Sequence, residues 1–264
     1  MSSQHGLKDQ RILLTRSLEH LPALEAQVVA RGAVPVLLPC LAVQWCDAAI
    51  KQAGASFSSY SDVVFTSSNG VHAVAGCIAG GLDLRSLCAG KRIAAVGRKT
   101  ADALQVYGVT ADIVPDLASQ DGLIAAYIER GLPASLLFFR AVEGRESLAR
   151  ALQQQGVKVE MVVAYRTVCP QDDAADVVHR MQQHEIDAVL LGSAKTARFY
   201  IQRMGSLKLA NQAVLVAISE SLAVALRKMG LSVQVVAKQA SFEAMLDALA
   251  EYFDSLALTS DRSV

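Results

Sequence analysis

The chain of 264 residues has no excess of either charge, with 25 Lys and Arg against 25 Asp and Glu. No basic tract supplies the electrostatic footprint of a nucleic-acid-binding protein, so no nucleic-acid partner is expected. No apolar run approaches the ~18 residues that span a bilayer, and the opening MSSQHGLKDQ lacks the apolar centre of a secretory signal. These absences predict a cytoplasmic protein with no membrane partner. The five cysteines, Cys40, Cys46, Cys77, Cys88 and Cys169, are an odd number without CxxC spacing. They read as reduced, mostly buried thiols, not as a disulfide framework. His179 and His184 lie five apart, on different faces of a helix, and no HExxH is present, so no metal is expected. No GxGxxG follows a strand, and CAGKR around Lys91 lacks both the first glycine and the hydroxyl of a phosphate loop. Nucleotide cofactors therefore find no support, and the absence of GxSxG or a Cys/His pairing removes the usual signs of covalent acyl transfer.

What the chain does have is apolar content, 52% of its residues, and a pattern that occurs twice. RILLTRSLEHLPALEAQVVARGAVPVLL from Arg11 lies without gaps on SLLFFRAVEGRESLARALQQQGVKVEMV from Ser135, matching Arg16 with Arg140 and Gly32 with Gly156. VVFTSSNGVHAV matches VLLGSAKTARFY, placing Ser67 on Ser193, and IAAVGRKTADALQVYG matches LVAISESLAVALRKMG, pairing Gly108 with Gly230. ASQDGLIAAYI and ASFEAMLDALA continue the series, with Ser119 and Ser241 as N-caps of the last helix in each half. Strand, helix and capping glycine alternate throughout, which predicts right-handed βαβ units, an α/β class with parallel sheets, and two domains. PVLLPCLAVQWC and VEMVVAYRTVCP read as unusually long strands connecting them, and the tail after about Ser255 reads as frayed.

The stretch Asp62 to Val74, DVVFTSSNGVHAV, runs from a buried strand directly into helix N-cap residues. A helix start beyond the carboxyl end of a parallel strand presents unpaired backbone N–H groups, and these attract anions. Four starts of this kind occur: Ser67, Ser68, Asn69 and Gly70; Gly97, Lys99 and Thr100; Ser193, Ala194, Lys195 and Thr196; Ser219 and Ser221. Any one of them is accounted for as a good cap worth ~1 kcal/mol. Together they suggest a site for a multiply carboxylated ligand, with Arg16, Arg140 and Arg145 as added cations. Tyr165 interrupts an apolar strand with a hydroxyl, which by itself reads as a half-buried aromatic with one hydrogen bond. A two-lobed cytoplasmic small-molecule binding or sensing protein for a polycarboxylate is a second reading of the same pattern.

The ordered set LLTR, FTSSNGV, VGRKTADAL, FFRAVEGRESLARAL, AYRT and AISESLAVALRKMG resembles uroporphyrinogen-III synthase from about Arg11 to Leu249. The resemblance implies two flavodoxin-like lobes joined by two antiparallel connecting strands. Residues 1–41 with 170–264 would form one lobe and 46–165 the other, with 42–45 and 166–169 as connectors. It implies an enzyme that closes linear hydroxymethylbilane to uroporphyrinogen III without a cofactor, losing water and inverting the terminal pyrrole ring; a monomer is expected because no obvious interface patch argues against one. Tyr165 falls on the family's favoured general acid, and the four helix starts would hold the acetate and propionate groups of the linear tetrapyrrole. Two positions depart from the family pattern: Ala141 stands where a glycine is usual, and Leu222 stands where the first copy has Thr100.

Overall fold

A computed structural model describes residues 6–77 and 83–260. Among them the first part of the chain forms β1 (Arg11–Leu14), α1 (Leu21–Ala30), β2 (Val34–Leu37), β3 (Ala42–Trp45), α2 (Asp47–Ser56), β4 (Asp62–Phe65), α3 (Ser68–Cys77), α4 (Leu84–Cys88), β5 (Arg92–Ala95) and α5 (Arg98–Val106). There follow α6 (Gln120–Arg130), β6 (Ser135–Ala141), α7 (Ser147–Gln154), β7 (Lys158–Val168), α8 (Ala175–Gln182), β8 (Ala188–Leu191) and α9 (Ala194–Met204). The last elements are α10 (Leu207–Ala210), β9 (Val214–Ala217), α11 (Glu220–Lys228), β10 (Val233–Val236) and α12 (Phe242–Ser260). The chain divides into two compact units, Met1–Ala42 with Val168–Val264, and Val43–Thr167.

The first unit is built on the sheet β10-β9-β8-β1-β2, parallel at every pairing. Renumbered within the unit this is the order 2-1-3-4-5 of a flavodoxin-like fold. Successive residues of a strand point to opposite faces, so Leu13, Val189 and Leu215 meet α8, α9 and α11, while Ile12, Leu14, Leu190 and Val216 meet α1 and α12. Both faces are covered. That is why these strands read as unbroken apolar runs, each fully buried Leu or Ile contributing ~1.5–3 kcal/mol.

The second unit carries the sheet β3-β7-β6-β4-β5, parallel except for the antiparallel edge strand β3 beside β7. Val63, Phe65, Leu137 and Phe139 pack with α2, α3 and α5, and Val64, Ala94, Leu136 and Phe138 pack with α6 and α7. Its place corresponding to β10 is held by a single parallel bridge, Ala94 to Ile113. The sequence repeat is therefore a repeat of register. Arg11 pairs with Val34 at the start of β1–β2 as Ser135 pairs with Lys158 at the start of β6–β7. The matched glycines also share a conformation: Gly32 and Gly156 have φ of 75° and 83°, Gly108 and Gly230 of 70° and 87°. A side chain at these left-handed helix exits is strained, which explains their recurrence.

Ser119 and Ser241 cap as expected, their Oγ atoms accepting from Gly122 N–H (3.0 Å) and Ala244 N–H (3.1 Å). Two expectations are corrected. PVLLPCLAVQWC is not one long strand, because β2 ends at Leu37 and β3 begins at Ala42 in the other sheet. Pro39 lies in the break, where it cannot donate to a ladder. The tail does not fray at Ser255, since α12 continues to Ser260 with Leu256 and Leu258 exposed.

Candidate functional site

In the second unit the carboxyl ends of β4, β5, β6 and β7 share one sheet edge, and the sequence-singled residues gather there. Ser67 begins α3: its Oγ accepts the Gly70 N–H at 3.1 Å, and its carbonyl accepts from Val71 at 3.3 Å. The first-turn amides of Ser68 and Asn69 have no recorded acceptor among the described residues, as a helix N-terminus requires. The Ser67 hydroxyl donates to Tyr165 Oη at 2.8 Å, joining residues 98 apart in sequence.

Tyr165 reaches that position through a bulge. Along β6–β7 the register runs Phe139 to Val162 and Arg140 to Val163, then jumps from Ala141 to Tyr165, leaving Ala164 as an extra residue in β7. Strict alternation would send Ala164 and Tyr165 to opposite faces. Both instead join the core cluster beneath α3 and α5. The Tyr165 ring lies near Gly70, where an added Cβ would stand 3.9 Å from its Cε1. The residue is 9% exposed, so little of it meets bulk water.

Next to α3, the helix α5 starts at Gly97, whose missing side chain makes room for Ala118 Cβ, 2.8 Å from where a Cβ would be. Lys99 is exposed in the first turn, but Thr100 is only 4% exposed. Its hydroxyl is therefore not presented to solvent as expected, and the helix start there offers backbone and Lys99 instead. Arg140 also differs from expectation. It is 7% exposed, its Nη1 bonds Glu146 Oε1 at 2.9 Å, and its Nη2 donates to the carbonyls of Val142 (3.3 Å) and Gly144. The guanidinium is turned into its own loop, where desolvation demands these partners. The guanidinium of Arg150, followed by that of Arg140, holds the Glu146 carboxyl below the usual carboxylate range. Arg145 is exposed, and its carbonyl accepts from Gln120 Nε2 at 2.8 Å.

The first unit has the equivalent edge at the ends of β1, β8 and β9. Ser193 Oγ accepts from Thr196 N–H at 3.1 Å and bonds Thr196 Oγ1 at 2.7 Å. Ser219 Oγ accepts from Leu222 N–H at 3.3 Å and lies 3.1 Å from Ser221 Oγ. The Leu222 amide is thus taken up by the cap, and the hydroxyls at this start are those of Ser219 and Ser221. Glu220, the one acid in this first turn, is paired with Arg227 at 3.0 Å. Ala194 is half-buried, and Lys195 Nζ lies 5.9 Å from the Phe199 ring.

Arg16 is held by a residue that sequence reasoning missed. Its guanidinium stacks 4.8 Å above the ring of Phe242, the first residue of α12. That ring sits where a side chain on Gly192 would be, 2.8 Å from an added Cβ. A lone aromatic at a helix start gives no local signal of this; only the packing of α12 over β8 does.

A family model described as uroporphyrinogen-III synthase HemD matches residues 22–247. A uroporphyrinogen-III synthase of Synechococcus elongatus is 30% identical over 211 residues, covering 77% of this chain and 78% of the relative. The porphyrin biosynthesis protein HemD of Ruminiclostridium josui is 27% identical over 245 residues, 91% of this chain but 48% of that protein. Among solved structures, a uroporphyrinogen-III synthetase from Helicobacter pylori is 16% identical, with a TM-score of 0.57 over 95% of this chain and 99% of that one. A mutant uroporphyrinogen III synthase from Thermus thermophilus is 20% identical, with a TM-score of 0.53 over 93% and 99%. At these identities the two structures speak for the fold.

Proposed function

The chain belongs to the uroporphyrinogen-III synthase family, and from that premise we propose how its residues close hydroxymethylbilane to uroporphyrinogen III in tetrapyrrole biosynthesis. The match over residues 22–247 carries the reading. The alternative of a polycarboxylate-sensing protein has no comparable support. The substrate carries eight acetate and propionate groups, and a chain of zero formal charge can hold them through backbone amides without a basic surface. We assign this task to the helix starts at Ser67, Ser68 and Asn69, at Gly97 and Lys99, at Ser193, Ala194 and Lys195, and at Ser219 and Ser221. Arg16 and Arg145 add charge. Arg140 shapes the loop that ends at Arg145, and Thr100 supports the α5 start from within.

Tyr165 is assigned as the general acid. Its phenolic proton passes to the departing hydroxyl, the C–O bond breaks with its electron pair on oxygen, and water leaves. The positive charge on the carbon spreads over its pyrrole ring. Attack by the terminal ring gives the spiro intermediate, and after rearrangement the ring proton released on closure returns to the phenolate. Acid catalysis of this kind is worth ~10²–10⁴-fold, and holding the two ends of a flexible chain together contributes further. The division into 1–41 with 170–264 and 46–165, linked by 42–45 and 166–169, belongs to the same proposal. So do cofactor independence, a monomer in the cytoplasm, and the absence of a nucleic-acid partner.

The test is to supply enzymatically generated hydroxymethylbilane and separate the oxidised product isomers. Type III product is expected. Type I alone, the product of spontaneous closure, would remove the proposal.

A further inference from the structure

The Ser67 hydroxyl has one proton to donate, and it is directed at Tyr165 Oη at 2.8 Å while its oxygen is fixed by the Gly70 amide at 3.1 Å. Tyr165 is therefore an acceptor in this pair, and its own O–H is left to point elsewhere. A tyrosine that gives up this proton becomes a phenolate, and a buried phenolate without a donor is costly. Here the donor is already in place, at the start of a ten-residue helix whose dipole favours negative charge at that end. The contact does not follow from the cap, because Ser193, capping α9 in the same way, has its hydroxyl bonded to Thr196 Oγ1 within its own turn.

Resting on the role assigned to Tyr165 above, we infer that Ser67 is a positioning residue for the reaction: it orients Tyr165 to donate its proton outward and stabilises the phenolate left behind. The step conserves protons. Tyr165 gives one to the leaving hydroxyl, Ser67 keeps its own while strengthening its bond to the phenolate oxygen, and the proton released on ring closure restores the phenol. Ser67 touches no reacting atom. Hydrogen bonds to charged oxygens are roughly twice as strong as neutral ones, so the contact strengthens as the proton leaves, which is the condition for raising kcat.

The experiment is a double-mutant cycle on the full chain with hydroxymethylbilane as substrate, using Ser67→Ala, Tyr165→Phe and the double variant. Ser67→Ala is expected to lower kcat about 10- to 100-fold with KM within about threefold. Ser67→Thr, which keeps both hydroxyl and cap, is expected to recover most of that loss. Ser67→Gly, a nearly neutral cap change, should lose as much kcat as Ser67→Ala, which separates the hydroxyl from helix stability. In the Tyr165→Phe background, Ser67→Ala should cost no further kcat. An equal loss in both backgrounds would overturn the inference and make Ser67 a cap or a substrate contact, as would wild-type kcat in Ser67→Ala. If Tyr165→Phe alone turned over normally, the acid assignment would fall and this inference with it. A loss in Tyr165→Phe without one in Ser67→Ala would leave the acid standing and remove only the present step.

Discussion

The two units repeat one strand-to-helix design and differ in where its serine hydroxyl goes. Ser67 and Ser193 each cap a helix after a buried strand at the same distance, 3.1 Å. Ser193 closes its turn on Thr196, whereas Ser67 reaches out of its turn to a tyrosine on another strand. The strands explain the difference. β2 stops at Leu37 after four residues, while its counterpart β7 runs for eleven and bulges at Ala164 to bring Tyr165 round to the helix side. The duplicated scaffold supplies serine-capped helix starts at a sheet edge twice, and the extended, bulged strand makes one edge chemically distinct.

Removing that distinction should have the largest effect. Tyr165→Phe is expected to lower kcat by ~10²–10⁴-fold with little change in melting temperature, since the ring and its packing remain. Steady-state turnover with a thermal melt of the same sample checks this, and a kcat near wild type would erase the contrast between the units. The second expectation concerns the first unit. Phe242→Leu keeps an apolar side chain beside Gly192 but removes the ring under Arg16, and a cation–π contact is worth ~0.5–2 kcal/mol. KM should rise several-fold with a smaller effect on kcat. A kcat loss approaching that of Tyr165→Phe would show that the first unit does more than bind.

A smaller effect comes from Ser193→Ala, which removes a cap and should cost ~1 kcal/mol of stability, read by denaturant titration, with a KM change of under threefold. A loss of kcat like that expected of Ser67→Ala would make the two serines equivalent after all. The smallest effect is acid sensitivity. The hydrogen bond from Arg203 holds the Asp172 carboxyl below its usual range, and Arg150, then Arg140, does the same for Glu146. Folded values below the unfolded ones contribute stability above about pH 4, lost as pH falls through the folded values. Melting temperature should thus be flat from about pH 7 to 5 and decline below about 4. The decline should be shallower in Arg203→Met, and because both carboxylates are more than one-third exposed the change should be small. An unaltered acid limb in that variant would show that other carboxylates govern it.

Much of this was legible from residue order alone. The repeat at Arg11 and Ser135, the serine caps at Ser119, Ser193, Ser219 and Ser241, and the paired left-handed glycines were all readable without coordinates. Each follows from a rule acting over a few residues: apolar periodicity, a side-chain oxygen three places before an unpaired amide, or freedom at positive φ. Arg16 and Arg140 show where such rules stop. They are matched in sequence, yet one lies over an aromatic ring and the other is buried in its own loop.

The sequence by itself determined the α/β alternation, the duplicated register and the helix starts, because those depend on neighbours along the chain. Tertiary structure decided which way the shared residues face. The bulge that turns Tyr165 toward Ser67, the burial of Thr100, and the ring of Phe242 beneath Arg16 all arise between segments far apart in sequence. Close packing of those segments leaves room for one arrangement of side chains, and no local pattern encodes that arrangement.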